Sequence, residues 1–274
     1  MAKIVYKKGL SDMIDLMEIH APHIAKNYQP GQFVIVRANA YAERIPLTVV
    51  KTTEKTITLI IQKIGFSTQE IGKLHVGDDI LDVVGPLGQA IDDHDVSRIL
   101  AVAGGVGAAP LYPQLAFYNA KGVHIDCVLG AKTKDALILE AEFNEVCDTL
   151  YITTDDGTKG HKGFVTDQVK TLLDNHSYDH AIAIGPLIMM QHVVNLNKAY
   201  NVSTDVSLNP IMIDGTGMCG NCRVSIGDKT YFACIDGPDF LGDEVNFDEL
   251  MARQRYYKDE EHVCLLKKVT SDEK

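Results

Sequence analysis

No stretch of the sequence approaches the roughly 18 consecutive apolar residues of a membrane-spanning helix, so no membrane span is expected. A long basic block is also missing. With a formal net charge of -11, this argues against non-specific binding to nucleic acid or to anionic lipid. The first residues, Met-Ala-Lys-Ile-Val-Tyr-Lys-Lys-Gly-Leu, lead into an alternating strand pattern rather than the apolar stretch of a signal peptide, and the cytoplasm is the expected compartment. Internal repeats and low-complexity tracts are absent, as is any Ser/His/Asp or paired-carboxylate arrangement that would support general acid–base or nucleophilic work. Cysteine is scarce, with six in 274 residues, but its distribution is uneven. Cys127 lies in an apolar run, and Cys147 and Cys264 stand alone; these read as buried or incidental thiols. The other three, Cys219, Cys222 and Cys234, fall close together with a C-x2-C spacing. In a cytosolic protein such a group points to metal or redox chemistry before structural disulfides.

Hydrophobic residues make up 46% and charged residues 23% of the chain, the balance of a globular protein with real cores. Segments 2–7, 12–20, 32–37, 47–51, 56–62 and 78–84 are β-rich, with turn signals at Pro30-Gly31, Gly72 and Gly77-Asp78. Six short strands at this spacing predict a small antiparallel barrel over 1–97, interrupted by a short helix near 68–74. From Ser97 the rhythm changes. Strand patterns at 98–103, 123–130, 149–154 and 180–184 alternate with helical ones running to about 120 and at 136–146, 164–175 and 187–200. That alternation predicts an α/β domain over 98–204 with a parallel sheet covered on both faces. The remainder, 205–274, is glycine-rich around the cysteines and reads as a small lobe organised by its metal.

Gly104-Gly105-Val106-Gly107-Ala108-Ala109-Pro110 follows a strand and opens a helix. Glycines let the backbone approach a pyrophosphate, and the free N–H groups at a helix start favour its charge. The alternative is a plain strand-to-helix turn. Gly65-Phe66-Ser67-Thr68 offers a similar helix start, or an ordinary Ser/Thr cap.

The most specific string is Asp214-Gly-Thr-Gly-Met-Cys219-Gly-Asn-Cys222, with eleven residues between it and Cys234. Plant-type [2Fe–2S] proteins use C-x4-C-x2-C and a distant fourth cysteine. Here the intervals are kept and aspartate takes the first place. Gly215, Gly217 and Gly220 free backbone N–H groups to wrap anionic sulfides. Zinc is a rival occupant, although its usual C-x2-C pairs come twice. In a third reading Asp214 is only a turn residue, and Cys264 is a conceivable ligand outside the motif.

The G-G-x-G-x-A-P loop resembles the nicotinamide loop of the ferredoxin–NADP reductase superfamily, and Gly185-Pro186 before Met189-Met190 resembles its second nicotinamide-side loop. Gly85-Pro86-Leu87-Gly88 is similar to that superfamily's barrel-closing turn. Arg44-Ile45-Pro46-Leu47-Thr48 is similar to its FAD-binding strand, with proline where tyrosine is more usual. Within the superfamily the chain resembles dihydroorotate dehydrogenase electron-transfer subunits and, through Asp214, more closely the small subunits of NADH-dependent ferredoxin:NADP oxidoreductases.

The resemblance implies that Arg44, Pro46, Leu47, Thr48, Gly65, Ser67 and Thr68 contact FAD, with Thr48 at the flavin edge where hydride arrives. Gly104, Gly105, Gly107, Ala109, Pro110, Gly130, Asp155, Asp156, Gly185, Pro186 and Met190 would line the nicotinamide cofactor. Asp214, Cys219, Cys222 and Cys234 would ligate the cluster. Asp155 and Asp156 would repel a 2′-phosphate whereas Lys132 and Lys134 after Gly130 would attract one, and the resemblance decides for NAD(H) over NADP(H). The implied partner is a larger subunit with FAD and [4Fe–4S] clusters, with ferredoxin engaged indirectly.

Overall fold

A computed structural model describes residues 2–256 of the chain, so Cys264 lies outside the described residues. Short β-branched segments, which suit a pleated half-buried surface, build the first part. β1 (Ala2–Ser11) and β2 (Ile14–His20) are followed by α1 (Pro22–Asn27), β3 (Phe33–Arg37), β4 (Ile45–Thr52) and β5 (Thr56–Gln62). α2 (Phe66–Gly72) then leads to β6 (Asp79–Ile80) and β7 (Asp82–Leu87). The strands pair antiparallel in the order β6-β1-β2-β5-β4-β3-β7. Only Leu81 separates the two edge strands in sequence, so the sheet curls back on itself and the barrel nearly closes. Its interior is filled from alternate positions, including Val34 and Val36 of β3 and Ile57, Leu59 and Ile61 of β5. The strand expected over 78–84 is split where the Leu81 N–H turns to the carbonyl of Ala38. α1 had no counterpart in the sequence reading, because it buries only Ile24 and Ala25, too few for a periodic signal.

The second part contains β8 (Arg98–Gly104), α3 (Ala108–Ala120), β9 (His124–Ala131), α4 (Glu140–Val146), β10 (Thr149–Thr154), β11 (His161–Lys162), α5 (Val165–Asn175), β12 (His180–Ile184), α6 (Leu187–Ala199) and β13 (Thr204–Ser207). Beyond it come the hairpin β14 (Arg223–Ile226) and β15 (Lys229–Phe232), then β16 (Asp239–Leu241) and α7 (Phe247–Arg253). The large sheet has the order β11-β10-β9-β8-β12-β13-β16, parallel except for β16. Ile99 to Ala103 of β8 are fully buried, because α3 and α4 pack on one face and α5 and α6 on the other.

The C-terminal residues do not stand apart. Cys222, Val224, Cys234, Phe247 and Leu250 share one core with α5 and α6, and β16 extends the large sheet.

Asp239 of β16 sits where the barrel, α3 and this C-terminal segment meet. A Cβ on Gly31 would lie 3.0 Å from its Oδ2, and Gln114 Nε2 donates to the same oxygen at 2.9 Å. Burial, with Asp205 and Asp92 adding to it, pushes the Asp239 carboxyl up to about 7. The folded chain therefore holds a proton that the unfolded chain releases near its ordinary carboxylate value, so this group's contribution falls as pH rises from about 4 to 7. Urea midpoints should drop between about pH 5 and pH 8 in the native protein, and Asp239→Asn should flatten that drop and be the more stable form at the higher pH. Equal slopes for the two proteins would remove Asp239 from the account.

Candidate cofactor and cluster site

β8, β9 and β10 are laid down in one direction across the large sheet, and the chain then returns to place β12 and β13 on the other side of β8. The order therefore reverses between β8 and β12. In open α/β sheets the crevice at the carboxyl ends of such strands is where ligands bind. Gly104 ends β8 and Gly185-Pro186 follows β12, so the two loops selected from sequence meet at this reversal.

Their glycines are required by that meeting. A Cβ on Gly107 would lie 2.2 Å from the Ile184 carbonyl oxygen, and one on Gly185 would lie 3.1 Å from Gly104 Cα. At Gly130, next to Gly104 in the ladder, a Cβ would stand 2.2 Å from Val165. Gly105 instead needs its freedom for a φ of +56°. Ala109 is buried and Pro110 half-buried in the first turn of α3.

Met190 departs from expectation. It is fully buried in the core with Leu187, Val193 and Val194. The sulfur at the loop belongs to Met189, which a Cβ on Gly104 would meet at 2.4 Å. Helical spacing carried the signal, since 187, 190 and 194 share the inward stripe and 189 does not.

Asp155 and Asp156 follow β10 at the same end of the sheet, both exposed. Asp156 accepts from the Thr158 hydroxyl at 2.7 Å and from its N–H, which hold its carboxyl below the usual range. Lys132 is drawn to the same place by the bond from the Asp156 N–H to its carbonyl.

On the barrel, Arg44 directly precedes β4 and is exposed. Pro46, Leu47 and Thr48 are half-buried on β4, with Thr48 opposite Phe33. Ser67 is buried and donates to Glu43 at 2.6 Å, whereas the Thr68 hydroxyl is spent on capping its own helix through Gly65. The barrel strand and the helix start thus face one another through Glu43, the neighbour of Arg44.

The cysteine loop closes the arrangement. Gly215, Gly217 and Gly220 all have positive φ, which coils the backbone around one point. Cys222 and Cys234 are buried with their sulfurs 3.2 Å apart, and Cys219 is exposed at the outer edge. Burial and the neighbouring Cys222 push the Cys234 thiol up to about 12. Thiolates in this place therefore need a cation to hold them, which a metal centre supplies. The Gly217 N–H is directed at the Cys234 sulfur, the type of donor that iron–sulfur centres use.

Asp214 accepts from the Thr216 N–H at 3.0 Å and the Cys219 N–H at 3.1 Å, and these bonds keep its carboxyl below the usual range. A carboxylate has about four lone-pair sites, so shaping the turn leaves capacity for a metal. The donor set fits a [2Fe–2S] cluster.

The loop also rests on the barrel. A Cβ on Gly215 would meet Ile35 and Leu87 at 2.7 and 2.8 Å, and Gln89 Nε2 donates to the Ile235 carbonyl at 2.6 Å. Cys234 and Leu87 line one cleft of about 250 Å³ between the two.

A near-closed barrel, a sheet with a ligand crevice at its reversal point and a thiolate loop between them define a ferredoxin-reductase-like oxidoreductase with an iron–sulfur lobe. Residues 101–195 match an oxidoreductase NAD-binding domain, and residues 209–246 match the iron–sulfur cluster binding domain of dihydroorotate dehydrogenase B. A Thermotoga maritima protein named as a homolog of the dihydroorotate dehydrogenase B (NAD(+)) electron transfer subunit is 43% identical over 263 residues, which cover 95% of this chain and 93% of that one. A probable subunit of the same name from Methanocaldococcus jannaschii is 35% identical over 221 residues, 81% of this chain and 82% of its own. A chain from the solved NADH-dependent reduced ferredoxin-NADP oxidoreductase superposes with a TM-score of 0.93 at 41% identity, covering 98% of each chain. The chain belongs to the family of dihydroorotate dehydrogenase B electron-transfer subunits and is an electron-transfer subunit of an NAD(P)H-dependent oxidoreductase. Among the described residues no helix is long and apolar enough to cross a membrane.

Proposed function

We propose that this chain takes electrons from NADH and delivers them singly to a larger flavin and iron–sulfur partner, in the manner of an NADH-dependent ferredoxin:NADP oxidoreductase. The observation that carries this reading is the seating of the Asp214–Cys234 loop on Ile35 and Leu87 of the barrel, which sets its thiolates beside the FAD half. Bound FAD would divide the electron pair of a hydride into the single electrons that an iron–sulfur cluster accepts.

The protein's part is to hold and orient. Gly104, Gly105 and Gly107 keep the crevice floor low enough for a pyrophosphate, and Gly185 and Pro186 bound it on the β12 side. Arg44, an exposed cation beside β4, is placed for a charge-assisted contact with the flavin pyrophosphate. Thr48 is the hydroxyl on the strand's half-buried stretch and is assigned to the flavin edge. Asp155 and Asp156 at the β10 end disfavour a 2′-phosphate, which selects NAD(H). The three-part division at residues 97 and 204 belongs to the same proposal.

A dihydroorotate dehydrogenase electron-transfer subunit is the second reading, and the names of the relatives favour it. Aspartate at position 214, where that branch uses cysteine, favours the first.

Anaerobically isolated protein should carry one FAD, two irons and two sulfides per chain, and its flavin and cluster absorption should bleach with NADH. Colourless protein containing only zinc would sink the proposal. Co-purification with a dihydroorotate-oxidising subunit would move it to the second reading.

A further inference from the structure

At the opposite, amino-terminal edge of the large sheet, three side chains distant in sequence converge. His180 opens β12, and Asp205 of β13 pairs in register with Ile182, so His180 and Asp205 point to the same face of the sheet. His94 reaches them from the connector between β7 and β8. Its Nε2 lies 2.7 Å from Asp205 Oδ2, and the His180 Nε2 lies 3.0 Å from the same oxygen. The two imidazole rings are 4.1 Å apart, with both Nε2 atoms turned towards Asp205.

His180 is the informative member. Only 5% of the residue is exposed, and among the described residues its Nε2 has just the oxygen it shares with His94, at 3.0 Å and off the direction of a well-formed hydrogen bond. A buried polar atom that shares one poorly aligned acceptor is incompletely satisfied, which is costly. Asp92 and Asp93 lie on the same connector as His94, and Lys121 is engaged by Asp93. Among the described residues, the ion-pair partners of Asp205 are these two histidines.

We propose that His94, His180 and Asp205 form a binding site for a divalent transition-metal ion of the zinc type, separate from the iron–sulfur loop. Two imidazole nitrogens and one carboxylate oxygen are a borderline N/O donor set that suits zinc, whereas magnesium and calcium take all-oxygen shells. The three donor atoms already lie within 4.8 Å of one another. Zinc–ligand bonds of about 2.0–2.2 Å place donors roughly 3.3 Å apart around a tetrahedral ion, so the site closes on a metal with a small outward adjustment. Solvent reaches His94 and Asp205 and can supply the fourth ligand. The ion would pin the inter-domain connector to β12 and β13, remote from the crevice at the other end of the strands. It therefore acts on stability and domain placement, not on the electron path.

The test uses holoprotein with its cluster intact, given equimolar Zn2+, desalted and analysed for zinc, with cluster absorption followed throughout. One zinc per chain should be retained, and the Zn K-edge spectrum should show nitrogen and oxygen ligands only. His94→Ala, a change in the exposed connector, should lower retention at least ~10-fold and cancel the rise in Tm that zinc produces. Failure of native holoprotein to retain zinc, equal retention by His94→Ala, or a zinc–sulfur shell near ~2.3 Å would each overturn the proposal. A zinc–sulfur shell would place the ion on the cysteine loop and show as lost cluster absorption, whereas the other results leave the flavin and cluster reading to its own test, the anaerobic spectrum.

Discussion

Cys234→Ser is expected to empty the iron–sulfur loop while leaving the rest of the protein able to react with NADH. Cys234 is buried beside Cys222, at 3.2 Å between sulfurs, and receives the Gly217 N–H. Serine fits the space, but its hydroxyl does not ionise to offer the charged, soft ligand that a ferric or ferrous centre takes from a thiolate. Iron and acid-labile sulfide should fall at least ~10-fold, since the three remaining ligands include the exposed Cys219 and a carboxylate already shared with two N–H groups. FAD content and flavin bleaching by NADH should persist, because the barrel and the α3-side core are built from other residues. Transfer to a one-electron acceptor should be lost.

Cys127→Ser is the matched control. That thiol is wholly buried on β9, and burial pushes it well above the ordinary value, so the change should leave iron unchanged. Full iron and sulfide in Cys234→Ser would remove it from the ligand set. Asp214→Cys should keep a cluster and raise its potential, because a softer thiolate favours ferrous iron more than a carboxylate does.

Much of this arrangement is legible in the sequence because the features that carry it are local. The runs at 98–103, 123–130 and 180–184 are dominated by apolar residues, interrupted only by Arg98, His124, Asp126 and His180 towards their amino-terminal ends, as strands covered on both faces require, and all three are found there. The glycine loop and the C-x4-C-x2-C intervals keep their meaning in a short window, since each is read by one turn of backbone.

What the sequence hides is long-range or lies within a single helical turn. β16 is three residues long and joins the large sheet only because Asp239 to Leu241 fold back onto β13, so the C-terminal segment looked like an appendage. Residues 94, 180 and 205 come together through sheet order alone, and no spacing announces them. The exchange of Met189 for Met190 is a rotation of about 100° around α6, which the helical stripe encodes but a motif does not.

Gly107→Ala carries the second large effect, because there is no way to make room for one methyl group. The φ of Gly107 is −58°, ordinary for alanine, so backbone strain plays no part. The obstacle is contact: the new carbon would lie 2.2 Å from the Ile184 oxygen, 2.7 Å from the Ile184 carbonyl carbon and 2.9 Å from Gly185 Cα. All three are backbone atoms at the end of the fully buried strand β12 and cannot swing aside as a long side chain can. The loop at 104–107 must lift off its neighbour, which opens the crevice at the reversal point.

Overpacking of this kind costs about 1–3 kcal/mol of stability. A displacement near 1 Å in a positioning loop can lower reaction rates by ~10²-fold. Anaerobic stopped-flow measurement of flavin bleaching should show second-order reaction with NADH reduced by at least ~10-fold, with FAD and iron contents unchanged. Gly77→Ala serves as comparison: it has open space around the missing carbon, a φ of +96°, and a place on the barrel away from both loops. That variant should lose some stability through the unfavourable φ and keep its reaction with NADH. If Gly107→Ala reacts with NADH at the native rate, the crevice between Gly104–Gly107 and Gly185–Pro186 is not where the nicotinamide cofactor is held.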